Sequence, residues 1–140
     1  MFRFLILLLL AASLCNPLWA ADDEEVEEAA VPAAHAIYIS LKPPFVVNYG
    51  GPGRLRYMKI EVSVRVSSAS GANAIRHHMP YIRNDLILLF SRQQEEVLDT
   101  QEGKELLRQQ ALEAVNNILM TEDGESDLVD LYFNQLVLQK

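Results

Sequence analysis

The stretch RLRYMKIEVSVRV, residues 54–66, is the strongest guide to the fold because its second half alternates strictly between polar and apolar residues. Successive side chains of a strand point to opposite faces of its sheet, so this alternation predicts a strand with one buried face. The opposite face, which carries Glu61 and Arg65, is predicted to be open to water or to a partner. The apolar residues of the pattern are Ile60, Val62, Val64 and Val66.

Further strands are predicted on both sides of this one. Residues 37–41 and 45–48 favour short strands. Pro43 and Pro44 between them indicate an edge or a bend, because proline cannot donate a ladder hydrogen bond. The last segment, DLVDLYFNQLVLQK, carries apolar residues at both odd and even positions. That pattern predicts a strand in the interior of the sheet.

Two helical segments are predicted between the third strand and the last. Apolar residues recur at steps of three and four over residues 72–94. Pro80 makes this either one kinked helix or a short turn followed by a helix with Pro80 in its first turn. Asp99 and Thr100 can cap the next helix, whose apolar stripe includes Leu107. The resulting order is β-β-β-α-α-β, which predicts an α+β domain with helices packed on one face of a small sheet.

The first 20 residues have the layout of a secretory signal peptide: one basic residue, an apolar run and a small-residue end. We expect cleavage between Ala20 and Ala21, and the alternative is an uncleaved signal anchor. Either outcome places residues 21–140 outside the cytoplasm. Residues 21–36 form an acidic and then Ala/Pro-containing linker, and residues 37–140 form the domain.

The net charge of −7 belongs largely to that linker, because residues 22–28 hold six of the 19 acidic residues. Such a segment is expected to be solvated and extended by its own repulsion. The chain has no cluster of Lys or Arg, which argues against nucleic acid as a partner. Cys15 is the only cysteine and precedes the expected cleavage point, so the domain has neither disulfide nor thiol chemistry.

His77 and His78 are two of the three histidines, and Met79 follows them, which raises the question of a metal site. Neighbouring residues of a helix point about 100° apart, and Asp85 lies about two turns away, so the spacing argues against a shared ion. His78 falls on the apolar face and is expected to be partly buried and hydrogen-bonded to backbone. His77, on the flank, faces either solvent or a neighbouring subunit.

The sequence offers no nucleophile with a matching base, no phosphate-binding loop before a helix and no acidic pair in apolar surroundings. We therefore expect no enzymatic activity, no cofactor and no bound metal.

Five segments, in order, resemble the FliL family of flagellar basal-body-associated proteins. Together they cover about residues 37–139, and they read YISLKPPFVVNYGG, RYMKIEVSVRV, MPYIRNDLILLFS, VLDTQEGKELLRQQALEAVNNIL and DLYFNQLVLQ. The resemblance implies a periplasmic domain with the stomatin-like (SPFH, band 7) fold, assembled as a ring around the flagellar stator units at the inner membrane. It further implies support of motor torque, motility and chemotaxis, and it brings no catalytic residues.

One departure from the family concerns the N-terminus, which looks cleavable where members usually keep a transmembrane helix; a soluble paralogue is one interpretation. We expect Glu61 and Arg65 to lie on a self-association face of a homo-oligomer that meets stator and basal-body proteins. Two alternatives stay open. One is a soluble periplasmic metal- or small-ligand-binding protein, and the other is a stomatin-like membrane scaffold unrelated to flagella.

Overall fold

The computed structural model describes residues 36–140, in which helices are inserted between the third and fourth strands of an antiparallel sheet. The strands are β1 (Ile37–Ser40), β2 (Phe45–Tyr49), β3 (Arg56–Val66) and β4 (Leu128–Gln139). The helices are α1 (Ala69–His77), α2 (Met79–Ser91), α3 (Glu95–Leu98) and α4 (Gln101–Glu122). This is an α+β architecture.

Strand β3 is the centre of the sheet. Its C-terminal half pairs with β1 and its N-terminal half with β2, so that these two short strands share one edge of β3. The other edge pairs with β4 along almost its whole length. The bend between β1 and β2 is held by Arg83 of α2, whose Nη1 donates to the carbonyls of Leu41 at 3.1 Å and Pro43 at 2.7 Å.

The prediction that the last strand is internal is wrong, because β4 pairs with β3 alone and is an edge strand of the described sheet. Two β-bulges explain the misleading pattern: Val129 and Asn134 have no partner in the ladder, and each shifts the register by one residue. Apolar residues at odd and even positions therefore reach the same face. Those packed against the core are Leu128, Leu131, Phe133, Leu136 and Leu138.

The core forms between one face of the sheet and the helices. The apolar side chains of β3 that the alternation assigns to the buried face are at most 2% exposed. They share one cluster with helix residues such as Ile82, Phe90, Leu107 and Val115, all buried. The opposite face of the sheet keeps large exposed side chains, including Tyr38 and Val46.

The segment predicted as one helix or as a turn and a helix is two helices that meet at His78. Pro80 stands in the first turn of α2, where its missing N–H costs nothing. The next helix is capped by Thr100, as predicted, and its hydroxyl accepts a hydrogen bond from the Gly103 N–H at 2.9 Å. Gly103 also lies against α3, and a Cβ there would come within 1.9 Å of the Val97 carbonyl oxygen.

Candidate interaction surface

The face of the sheet that points away from the helices, called the outer face below, combines charged side chains with exposed aromatic and aliphatic ones. Tyr38 is 62% exposed, Val46 64%, Tyr57 42% and Val137 45%. Apolar side chains grouped this way on one sheet face are typical of a contact surface. The other residues of the outer face are Ser40, Lys59, Glu61, Ser63, Arg65, Asp130, Tyr132 and Gln135.

Glu61 lies in the middle of the outer face and is open to solvent. Its Oε1 is 3.1 Å from Lys59 Nζ, with side-chain exposures of 40% and 45%. Lys59 also donates to the Gln135 side chain at 3.3 Å. An exposed ion pair of this kind contributes little to folding, so Glu61 remains available to a second cation.

Arg65 is half-buried at the other end of the same strand and lacks a counter-ion among residues 36–140. Its Nε is buried and has no acceptor in the described part of the chain. Asp130 is its direct cross-strand neighbour, but that carboxylate is bound elsewhere. A buried donor without a partner is costly, so Arg65 is poised to gain from an incoming acceptor.

Asp130 is held by α4 rather than by Arg65. Arg108 Nη1 lies 2.7 Å from its Oδ1, and the same oxygen accepts from the Leu131 N–H at 2.8 Å. Burial favours the neutral acid, but the hydrogen bonds from Leu131 and Tyr132 and the charge of Arg108 outweigh it and lower the pKa of Asp130. Sequence reasoning misses this pair, and its one local signal is an acidic residue within the apolar run of the last strand.

Arg108 also closes the edge of β4 near its start. Its Nη1 donates to the Leu131 carbonyl at 2.9 Å, while Nε and Nη2 bind the two oxygens of Glu105 at 2.8 and 2.6 Å. Hydrogen bonds from Arg108 and then Gln109 lower the pKa of Glu105 to about 2. Because the N–H and carbonyl of Leu131 are both occupied within the chain, this part of the edge is blocked to another strand.

A cleft of about 480 Å³ opens where the edge of β3 passes from β1 to β2. It is lined by the bend, residues 40–44, together with Glu61, Val62 and Asn134. Ser63 lies beside it, where its hydroxyl is 3.3 Å from the Ser40 hydroxyl and accepts from Asn134 Nδ2 at 2.6 Å. The centre of the outer face is thus made of small polar groups next to a depression.

The two histidines at residues 77 and 78 have different surroundings. His78 is 6% exposed, and its Nε2 lies 2.9 and 3.1 Å from the two carboxylate oxygens of Asp123. The expectation of a backbone partner is wrong: the partner is a side chain at the C-terminal end of α4. His77 is exposed, and its ring packs edge-on against His78 with centroids 4.8 Å apart.

Residues 36–140 contain no group of three or more His, Cys, Asp or Glu placed to hold a metal ion. In that same range no helix combines the length and apolarity needed to cross a membrane. The expected cleavage residues Ala20 and Ala21, and the acidic linker, lie outside the described residues.

These features define a class of protein: a small α+β domain whose distinctive surface is an open sheet face suited to protein–protein contact. The family model "Flagellar basal body-associated protein FliL" matches residues 38–139. The chain belongs to this family, as its motifs indicate, and is a flagellar basal-body-associated protein of the flagellar motor.

Curated relatives carry the same description. The chain is 30% identical over 108 residues to the flagellar protein FliL of Aquifex aeolicus (strain VF5), covering 77% of this chain and 65% of that protein. It is 28% identical over 119 residues to the flagellar protein FliL of Escherichia coli (strain K12), covering 85% of this chain and 74% of that protein. The chain thus spans just under two thirds of the Aquifex relative. The family is one of flagellar accessory proteins.

Proposed function

We propose that this chain is a non-enzymatic, periplasmic scaffold of the flagellar motor that assembles with copies of itself in a ring around the stator units. In that position it supports motor torque, and through torque it supports motility and chemotaxis. Its domain takes the stomatin-like (SPFH, band 7) arrangement, and residues 1–20 deliver it to the inner membrane or anchor it there. Its partners are stator and basal-body proteins.

The observation that carries this proposal is the outer face, which a domain with all its helices on one side leaves uncovered. A scaffold needs a surface that is stable in water yet gains from a protein partner. The outer face meets both needs, since charged groups solvate it while Tyr38, Val46 and Val137 offer apolar area. Arg65 adds a donor that has no acceptor within residues 36–140.

The helical side of the domain has a different role. Its buried apolar residues are used in the core, and the turn at Thr100–Gly103 serves to join α3 to α4. We therefore assign self-association to the outer face, with Glu61 and Arg65 as its charged contacts.

The proposal is tested by a clean deletion scored for spreading in soft agar and on swarm plates, with flagellar filaments counted in the same cells. The expected result is reduced spreading with normal filament number, restored by the wild-type chain. Normal spreading of the deletion strain on both media would contradict the proposal. Loss of filaments would also contradict it, since the defect would then lie in assembly rather than in torque.

A further inference from the structure

The outer face is complementary to itself, and we propose that it joins two copies of this chain face to face, about a two-fold axis that crosses β3 above Ser63. This inference rests on the proposed self-association and supplies its geometry and its partner, a second copy. It is carried by the order of charges along β3, by the position of the cleft and by the closed edge of β4.

The charges select one orientation of the two sheets. Stacked sheets related by a two-fold axis have that axis either along the strands or across them. An axis along β3 would place Glu61 on Glu61 and Arg65 on Arg65 of the second copy, which is repulsive. An axis across β3 above Ser63 reverses the strand, so that Glu61 of each copy lies over Arg65 of the other, since both are two residues from Ser63.

The same rotation matches shape as well as charge. Tyr38 is the cross-strand neighbour of Arg65, and the cleft lies beside Glu61 on the same side of β3. Rotation across the strands keeps each copy's β1–β2 side over that of the other while exchanging its two ends. Tyr38, 62% exposed, therefore lies over the cleft of about 480 Å³ in the second copy, twice per pair.

The centre of the contact permits close approach. Ser63 is small and 8% exposed, and its hydroxyl is already bonded to Ser40 and Asn134, so stacking over it leaves that group satisfied. Arg65 gains what the isolated domain does not provide, a carboxylate beside a guanidinium whose Nε has no acceptor among residues 36–140.

The alternative surface for joining two sheets, the free edge of β4, is less suitable. Its backbone groups at Leu131 are bound by Asp130 and Arg108, and bulges at Val129 and Asn134 interrupt it. Natural sheets use such bulges and capped groups to prevent edge-to-edge pairing. The outer face is therefore the better surface for a second copy.

The test is the association of the full chain measured by sedimentation equilibrium, for Glu61→Arg, Arg65→Glu and the double variant with both changes. Each single reversal places like charges in contact twice per pair and is expected to weaken dimerisation by roughly tenfold or more. The double variant restores opposite charges at both contacts and should dimerise within about threefold of the wild type, since the swapped pair has the same geometry. Tyr38→Ser should also weaken dimerisation, because it empties both clefts.

Arg92→Glu with Glu113→Arg is the matched control, since both residues are exposed on the helical side and should leave dimerisation unchanged. Thermal unfolding of each variant separates lost association from lost folding. Failure of the double variant to recover, a wild-type chain that stays monomeric, or particles larger than dimers would overturn the inference. Larger particles would leave the proposed motor role intact, whereas normal motility of the deletion strain would overturn that role and not the pairing.

Discussion

Asp130 lies directly opposite Arg65 in the β3–β4 ladder, yet its carboxylate is bound by Arg108 of α4 at 2.7 Å. This one choice of partner has two consequences. The edge of β4 is tied to the helix, and Arg65 is left on the outer face without a counter-ion among residues 36–140. Stability and interaction are thus separated: Arg108 serves the fold, and Arg65 is available to a partner.

Arg108→Met is expected to destabilise the domain by about 1–2 kcal/mol, since it strands Asp130 and frees the Leu131 carbonyl. The cost stays modest because the Arg108 and Asp130 side chains are 24% and 28% exposed, and water screens their charges. Urea unfolding followed by circular dichroism measures it. Arg76→Met, on exposed helix surface, is the control and should change stability by less than about 0.5 kcal/mol. Equal costs for the two variants would contradict the role given to Arg108.

Acid should weaken the same cluster. Arg108 and Gln109 lower the pKa of Glu105 from its ordinary 4.5 to about 2 in the folded chain. A lowered folded pKa means that the contribution is complete above about pH 4.5 and is lost as the pH falls toward about 2. The pKa of Asp130 is lowered too, which gives the same sign. Melting temperatures measured across this range should fall less steeply for Glu105→Gln than for the wild type, and an identical slope would contradict the assignment.

His78 and His77 should respond differently to removal. His78→Ala empties a buried position and leaves Asp123 unpaired, with an expected cost of about 2–3 kcal/mol. His77→Ala, on an exposed ring, should cost less than about 0.5 kcal/mol. Chemical denaturation of both variants gives the comparison. Addition of Zn²⁺ should leave the wild-type melting temperature unchanged, and a rise that depends on His77 or His78 would favour the metal-binding alternative.

Gly103→Ala should be among the most damaging small substitutions. The added Cβ would come within 1.9 Å of the Val97 carbonyl oxygen, which is backbone and cannot turn aside, so α3 must move away from α4. The expected cost is about 2–3 kcal/mol. Gln101→Ala, exposed at the start of the same helix, is the control and should be nearly neutral. A stable Gly103→Ala protein would show that the α3–α4 contact is soft.

The sequence predicts those features that depend on residues close together in the chain. The alternation in β3, the cap at Thr100 and the helical position of Pro80 are local patterns, and the structure has each of them. The family motifs, read from the same stretches, identify the family correctly. The self-association face at Glu61 and Arg65 stays a prediction.

Features that depend on distant residues are missed. The edge position of β4 is hidden by bulges at Val129 and Asn134, whose effect on register shows only against β3. His78 finds Asp123 across 45 positions, and Arg108 finds Asp130 across 22. No periodicity connects such pairs, because each depends on how helices and strands pack together and not on the order of residues within one element.

Support of the flagellar motor through the outer face of the sheet is tested most directly by the rotation speed of single motors, followed with beads attached to flagella. The strains are a deletion that expresses the wild type, Arg65→Glu, or the double variant that adds Glu61→Arg. We predict that motors with Arg65→Glu rotate as slowly as those of the deletion strain and that the double variant recovers wild-type speed. Wild-type speed with Arg65→Glu, at equal protein level, would contradict this role of the outer face.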